Sequence, residues 1–167
     1  DSEKPICIAG VMGGENTDVD SNTKNILIES AIFDATSIRY TAGHLNLRSE
    51  ASIRYGKGLN YEYTNNAINR ACYLLEKYAS AKVLSGIVKY DKVDKTPKKV
   101  EFKKDEINSL LGITISEEDM EFELNRLGFA FEKDGDKFIA TIPNRRLDID
   151  PNVNDIAEEI GRLYGYH

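Results

Sequence analysis

The chain has 167 residues, 41% of them hydrophobic, a formal net charge of −6 and a pI of about 5.1. That is enough apolar material to bury a core in one or two domains; the acidic balance excludes wrapping of nucleic acid by bulk positive charge, while a site completed by another chain's basic surface stays open. No window approaches the roughly 18 apolar residues of a membrane span, and Cys7 and Cys72 have no neighbour at metal-ligand spacing, so a reduced, intracellular protein with both thiols as small core residues is expected.

The first residues lack the basic start and apolar core of a signal peptide, and a strand over 5–9 begins almost at once, which reads as the interior of a longer protein. That strand runs into Gly10-Val-Met-Gly-Gly-Glu15, where the paired Gly13 and Gly14 can take a positive φ and allow close approach. After a polar loop over 16–25, residues 25–31 form an apolar strand that delivers Glu29. A glycine turn beside a strand carrying one acid can build a pocket; it can equally be a tight turn beside a solvated carboxylate. Asp34 or Thr36 caps a helix over 35–44. Residues 47–52 read as a small, polar connector, and Gly56 and Gly58 as a bend. Ile68, Ala71, Cys72, Leu75 and Ala79 make one apolar stripe on a helix over 61–79. A strand over 82–90 contains Gly86, as at a bulge or edge. Residues 91–99, DKVDKTPKK, are charged and read as a linker.

Beyond it come a strand over 100–103, a helix over 105–111 stopped by Gly112, and a helix opened by Ser116-Glu-Glu-Asp119 with Met120, Leu124 and Leu127 inward. Two strands then flank Asp134-Gly-Asp136, a hairpin signal. Helix, helix, hairpin is a winged-helix-like order, and a last helix covers 153–164. Around that helix Asp148, Asp155, Glu158 and Glu159 are hard-cation donors without His or Cys, suiting Mg²⁺ before Ca²⁺. The alternative is an acidic helix N-terminus favoured by the helix dipole, with Arg145 and Arg146 neutralising the acids. His44 reads as a capping or surface residue, and Ser49 and Ser52 have no Ser-His-Asp context. No phosphate loop or dinucleotide fingerprint is present.

Taken together, Ile8-Ala-Gly-Val-Met-Gly-Gly-Glu15, Thr23-Lys-Asn-Ile-Leu-Ile-Glu-Ser-Ala31, Leu47-Arg-Ser-Glu-Ala-Ser-Ile-Arg54, Asn125-Arg-Leu-Gly-Phe129, Ile142-Pro-Asn-Arg-Arg-Leu-Asp-Ile149 and Glu158-Glu-Ile-Gly-Arg-Leu-Tyr-Gly-Tyr166 resemble, in order and along the whole chain, the beta chain of bacterial phenylalanyl-tRNA synthetase. The resemblance implies an α+β chain: the C-terminal part of a tRNA-editing domain over 1–92, a linker over 93–99, and a small winged-helix-like module over 100–167. It implies hydrolysis of tyrosine mischarged onto the phenylalanine tRNA, with Glu29 recognising the phenol, Gly13 as a wall, and Ser49 and Ala51 as the small pocket floor. It further implies Mg²⁺ on Asp148, Asp155, Glu158 and Glu159, shared with the alpha chain of a cytoplasmic heterotetramer of two alpha and two beta chains. ATP is then used by the holoenzyme and not bound here, and no aminoacylation site is present.

Three departures stand beside that likeness. The stretch from Asp148 to Asp155 is one residue longer than the family's usual spacing and contains Pro151. Arg54-Tyr-Gly-Lys-Gly58 replaces the family's Arg-Phe-Glu-Arg-Gly, and the basic helix is thinned over 40–44. The family's editing domain also begins upstream of Asp1 and holds a pocket His and Thr there, so the isolated piece is expected to be inactive. The rival expectation is a structural or tRNA-docking module with no editing of its own. A stand-alone nucleic-acid-binding winged helix is disfavoured by Glu117, Glu118, Asp119, Glu121 and Glu123 on its second helix.

Overall fold

A computed structural model describes residues 2–165 of the chain, which divides between Lys92 and Val93 into two compact units. The architecture is α+β, with six α-helices and two small antiparallel sheets among the described residues.

The first unit opens with a minimal hairpin, β1 (Cys7–Ile8) against β2 (Met12–Gly13), with Ile8 opposite Met12. Gly10 makes the turn at φ +67°, where a Cβ would come within 2.6 Å of Ile38 Cδ1. The left-handed conformation therefore belongs to Gly10 and not to the pair expected to carry it: neither Gly13 nor Gly14 is among the positive-φ residues. Helix α1 (Ala35–His44) begins where Asp34 accepts from the Ser37 N–H at 2.7 Å. The expected connector over 47–52 is in part a helix, α2 (Glu50–Tyr55). Ser49 caps it by accepting from the Ser52 N–H at 3.0 Å, and the Ser52 hydroxyl oxygen accepts in return from the Ser49 N–H. Helix α3 (Tyr63–Ala79) follows and ends at Ser80, φ +52°. A small core of Val11, Ile38 and Ala42 holds the unit, with Phe33, Leu47 and Tyr55 packed on it.

Two expected strands are absent. Residues 25–31 and 82–90 pair with no strand among the described residues, and Leu27 and Val88 stand fully exposed. An apolar run shows what a strand would bury; forming one requires a hydrogen-bonding partner, which periodicity cannot supply. The α3 stripe is likewise only half-buried at Ile68, Ala71, Cys72 and Leu75, and exposed at Ala79. Neither thiol is in a core: Cys7 is exposed and Cys72 half-buried.

The second unit is built around one larger core. Strand β3 (Lys99–Lys103) leads through α4 (Lys104–Leu111) and α5 (Glu117–Leu127) to the hairpin β4 (Ala130–Asp134) and β5 (Lys137–Thr141). The sheet order is β3-β5-β4, so the hairpin expected from Asp134-Gly-Asp136 gains a third antiparallel strand. Phe102 lies opposite Phe138 in that register, their rings stacked at 5.3 Å. Gly112 and Gly128 end α4 and α5 at φ +69° and +75°, where a residue with a Cβ would be strained. Helix α6 (Val153–Tyr164) lays Ile156, Ala157 and Ile160 into the core with Met120 and Leu124 of α5 and Ile107 of α4.

Candidate functional site

Of the residues expected from the sequence to line a pocket, Ser49 and Ala51 lie at the start of α2, Gly13 on β2 and Glu29 on the extended segment before α1. The capping role of Ser49 leaves its hydroxyl hydrogen free to donate to the Val11 carbonyl at 2.5 Å, which fastens the first turn of α2 to the β1–β2 turn, two residues before Gly13. A Cβ on Gly13 would meet nothing within 4 Å, whereas one on Gly14 would strike the Ile6 carbonyl at 2.5 Å. Gly14 is thus required by the hairpin itself, and Gly13 faces open space. Ala51 and Tyr55 are four apart on α2, hence on one helix face, and both are half-buried. Glu29 is exposed on the extended segment. The next residue anchors that segment, the Ser30 hydroxyl donating to the Thr64 carbonyl of α3 at 2.8 Å. Successive side chains of an extended chain point to opposite sides, and Glu29 is near enough to Tyr55 for its charge to act on the phenol. Burial, then Glu29, push the Tyr55 hydroxyl above its ordinary value.

Two residues of this region were not singled out from the sequence. Tyr55 packs edge-on against Phe33 at 4.9 Å between ring centres. Arg39 of α1 donates to the Gly56 carbonyl at 2.5 Å, and its Cγ would lie 3.2 Å from a Cβ at Gly56. Gly56, where the resemblance led to the expectation of a Glu, is therefore buried under an arginine. The Ser49-x-x-Ser52 spacing was the one sequence signal that could have revealed α2.

The carboxylates before and on α6 are arranged differently. Asn152 caps the helix by accepting from the Asp155 N–H at 2.9 Å, and Asp155 itself accepts from the Asp150 N–H at 2.8 Å. Glu158 is exposed, on the rim of a shallow groove with Leu110, Leu111, Asn154 and Ala157. Glu159 is buried and Asp148 exposed, yet both meet Arg146. Its Nη1 reaches Glu159 Oε2 at 2.5 Å, its Nη2 reaches Asp148 Oδ2 at 2.7 Å, and its Nε reaches Asp148 Oδ1 at 2.9 Å. Arg162 adds a bond to Glu159 Oε2 at 2.8 Å. Arg146 holds the Asp148 carboxyl down at about 2, and Arg146 followed by Arg162 lowers that of Glu159 against its burial. The adjacent Arg145 turns elsewhere and donates through Nη2 to the Leu127 carbonyl at the end of α5. Among the described residues no group of three or more His, Cys, Asp or Glu is placed to hold a metal ion. As they stand in this chain, the four acids do not fit a Mg²⁺ site.

Residues 1–80 match the model of the B3/4 domain family, and residues 100–166 that of the tRNA synthetase B5 domain family. The chain is 45% identical over 166 residues to the phenylalanine–tRNA ligase beta subunit of Lactobacillus acidophilus, covering 99% of this chain and 20% of that protein. It is 43% identical over 164 residues to the same subunit of Staphylococcus aureus, and 40% identical over 165 residues to that of Streptococcus thermophilus, again 20% of each. The chain thus spans about a fifth of the length of these relatives.

Proposed function

The chain belongs to the family of phenylalanine–tRNA ligase beta subunits, and from that premise we propose that its first unit forms part of a site that hydrolyses Tyr-tRNA(Phe). The observation that carries this reading is the bond from Ser49 to the Val11 carbonyl, which joins the start of α2 to the turn where Gly13 faces open space. Glu29 supplies the discrimination. Its carboxylate accepts a hydrogen bond from the hydroxyl of tyrosine and finds no donor on phenylalanine, so the wrong amino acid is held and the right one is not. Ala51 leaves room for the ring. Hydrolysis of the ester draws on groups outside this stretch of the subunit.

In the same reading the second unit serves assembly with the alpha chain, in a cytoplasmic heterotetramer that attaches phenylalanine to its tRNA with ATP. ATP is used at the alpha chain. Mg²⁺ enters at the level of the complete enzyme, where the alpha chain contributes ligands that the four acids lack here. A structural role for the second unit is favoured by one observation, the internal pairing of Asp148 and Glu159 with Arg146.

The test is deacylation of Tyr-tRNA(Phe) by the full-length enzyme with and without Glu29→Ala. Mischarged tRNA that persists only with the variant supports the reading. Equal clearance by both overturns it and leaves Glu29 a structural acid.

A further inference from the structure

We propose that Arg146 is the cation around which this carboxylate cluster is built, so that within this chain a guanidinium, and not a divalent ion, neutralises Asp148 and Glu159. The proposal is independent of the editing reading.

Geometry supports it first. Arg146 uses three nitrogens on two acids, with Nε and Nη2 forming a fork on Asp148 and Nη1 on Glu159. A planar fork of this kind matches a carboxylate far better than a point charge does. Charge balance supports it next. Arg146 and Arg162 face Asp148 and Glu159, two positive groups against two negative, so these two acids are balanced before any ion arrives. A divalent cation entering it would meet a guanidinium already bonded to the oxygens it needs. Mg²⁺ also requires a near-octahedral shell at about 2.0–2.1 Å and dehydrates reluctantly. The remaining acids do not compensate. Asp155 accepts the Asp150 N–H on its Oδ2, and Glu158 lies on the groove rim beside Asn154 and Ala157. Burial gives the arrangement its reason: Glu159 sits 7% exposed beside Ile156 and Ile160, where an unpaired carboxylate would be strongly unfavourable. Arg146 removes that penalty and ties the segment before α6 to the helix.

The experiment is a Mg²⁺ titration of this chain, followed by NMR of the carboxyl carbons and of the Arg146 Nε–H, with melting temperature recorded in parallel. The expected result is no saturable shift at Asp148 or Glu159 through millimolar Mg²⁺, an Arg146 Nε–H signal that persists, and an unchanged melting temperature. In Arg146→Gln the melting temperature falls without the ion, and Mg²⁺ then restores part of it and shifts Glu159. If that variant does not fold, Arg146→Lys, which retains the charge and loses the fork, is titrated in its place and is expected to respond to Mg²⁺ more than the unaltered chain. Saturable shifts at Asp148, Asp155 and Glu159 of the unaltered chain, with loss of the Arg146 signal, would overturn the proposal. So would a folded Arg146 variant that responds to Mg²⁺ no more than the unaltered chain.

Discussion

Adjacent residues of one type have opposite duties in this chain. Gly13 and Gly14 look alike in sequence, but a Cβ at Gly14 would lie 2.5 Å from a backbone oxygen and one at Gly13 would meet nothing. Gly14→Ala should therefore destabilise the first unit by about 1–3 kcal/mol, read by chemical denaturation. Gly13→Ala should leave stability within about 0.5 kcal/mol and, if Gly13 walls the editing pocket, still slow deacylation by the full-length enzyme. Arg145 and Arg146 diverge in the same way, one to the end of α5 and one to the acids. The acids give a pH prediction. Asp148 and Glu159 both titrate below their ordinary values in the folded chain, Asp148 at about 2. Their contribution is thus fully present above the unfolded values of about 4 to 4.5 and is lost as pH falls below them toward about 2. The melting temperature of the second unit should be flat from neutral pH to about pH 5 and then fall. In Glu159→Gln that fall should be shallower, and the stability at neutral pH lower by about 2–3 kcal/mol, since the buried pair is broken but its arginines are partly solvated.

Among elements, α2 has the most consequence for its length. Six residues are too few for a helix to stand by itself, so the cap and the bond to the hairpin hold it. Ser49 provides both, accepting from Ser52 N–H and donating to the Val11 carbonyl. Ser49→Ala removes the two together and should cost about 1–2 kcal/mol; hydrogen exchange should accelerate in α2 before it does in α1 or α3. Ser49→Thr retains the hydroxyl and should restore most of the protection. The helices of the second unit needed no such assistance to be read. Ser116, Gly112 and Gly128 act locally, through cap geometry and positive φ, and local chemistry is what a sequence displays.

At the scale of the molecule the two units differ in how much they bury. The second has a continuous core from Val100 to Ile160 in which Ile107, Ile115, Met120, Leu124, Ile156 and Ile160 are wholly enclosed. Among the described residues the first has three buried apolar ones, Val11, Ile38 and Ala42. Denaturant should accordingly unfold the chain in two steps, residues of the first unit losing their native NMR signals at lower denaturant than those of the second. Ile156→Ala should lower the second step alone, by about 2–5 kcal/mol. A single transition, or a shift of both steps, would contradict this.

By itself the sequence determined the family resemblance, the α+β class, five of the six described helices, the hairpin, and the ends of α4 and α5. These follow from short-range patterns: apolar spacing, capping hydroxyls, and glycines where only glycine fits. It could not decide whether residues 25–31 and 82–90 become strands, because pairing depends on a partner remote in sequence, and the same is true of where β3 joins the sheet. It placed Asp148, Asp155, Glu158 and Glu159 within a few residues of one another and left open whether a metal or an arginine would balance them. The tertiary structure brought Arg146 to two of the four, since the pairing of charges depends on side-chain direction across separate elements, which spacing along the chain does not record.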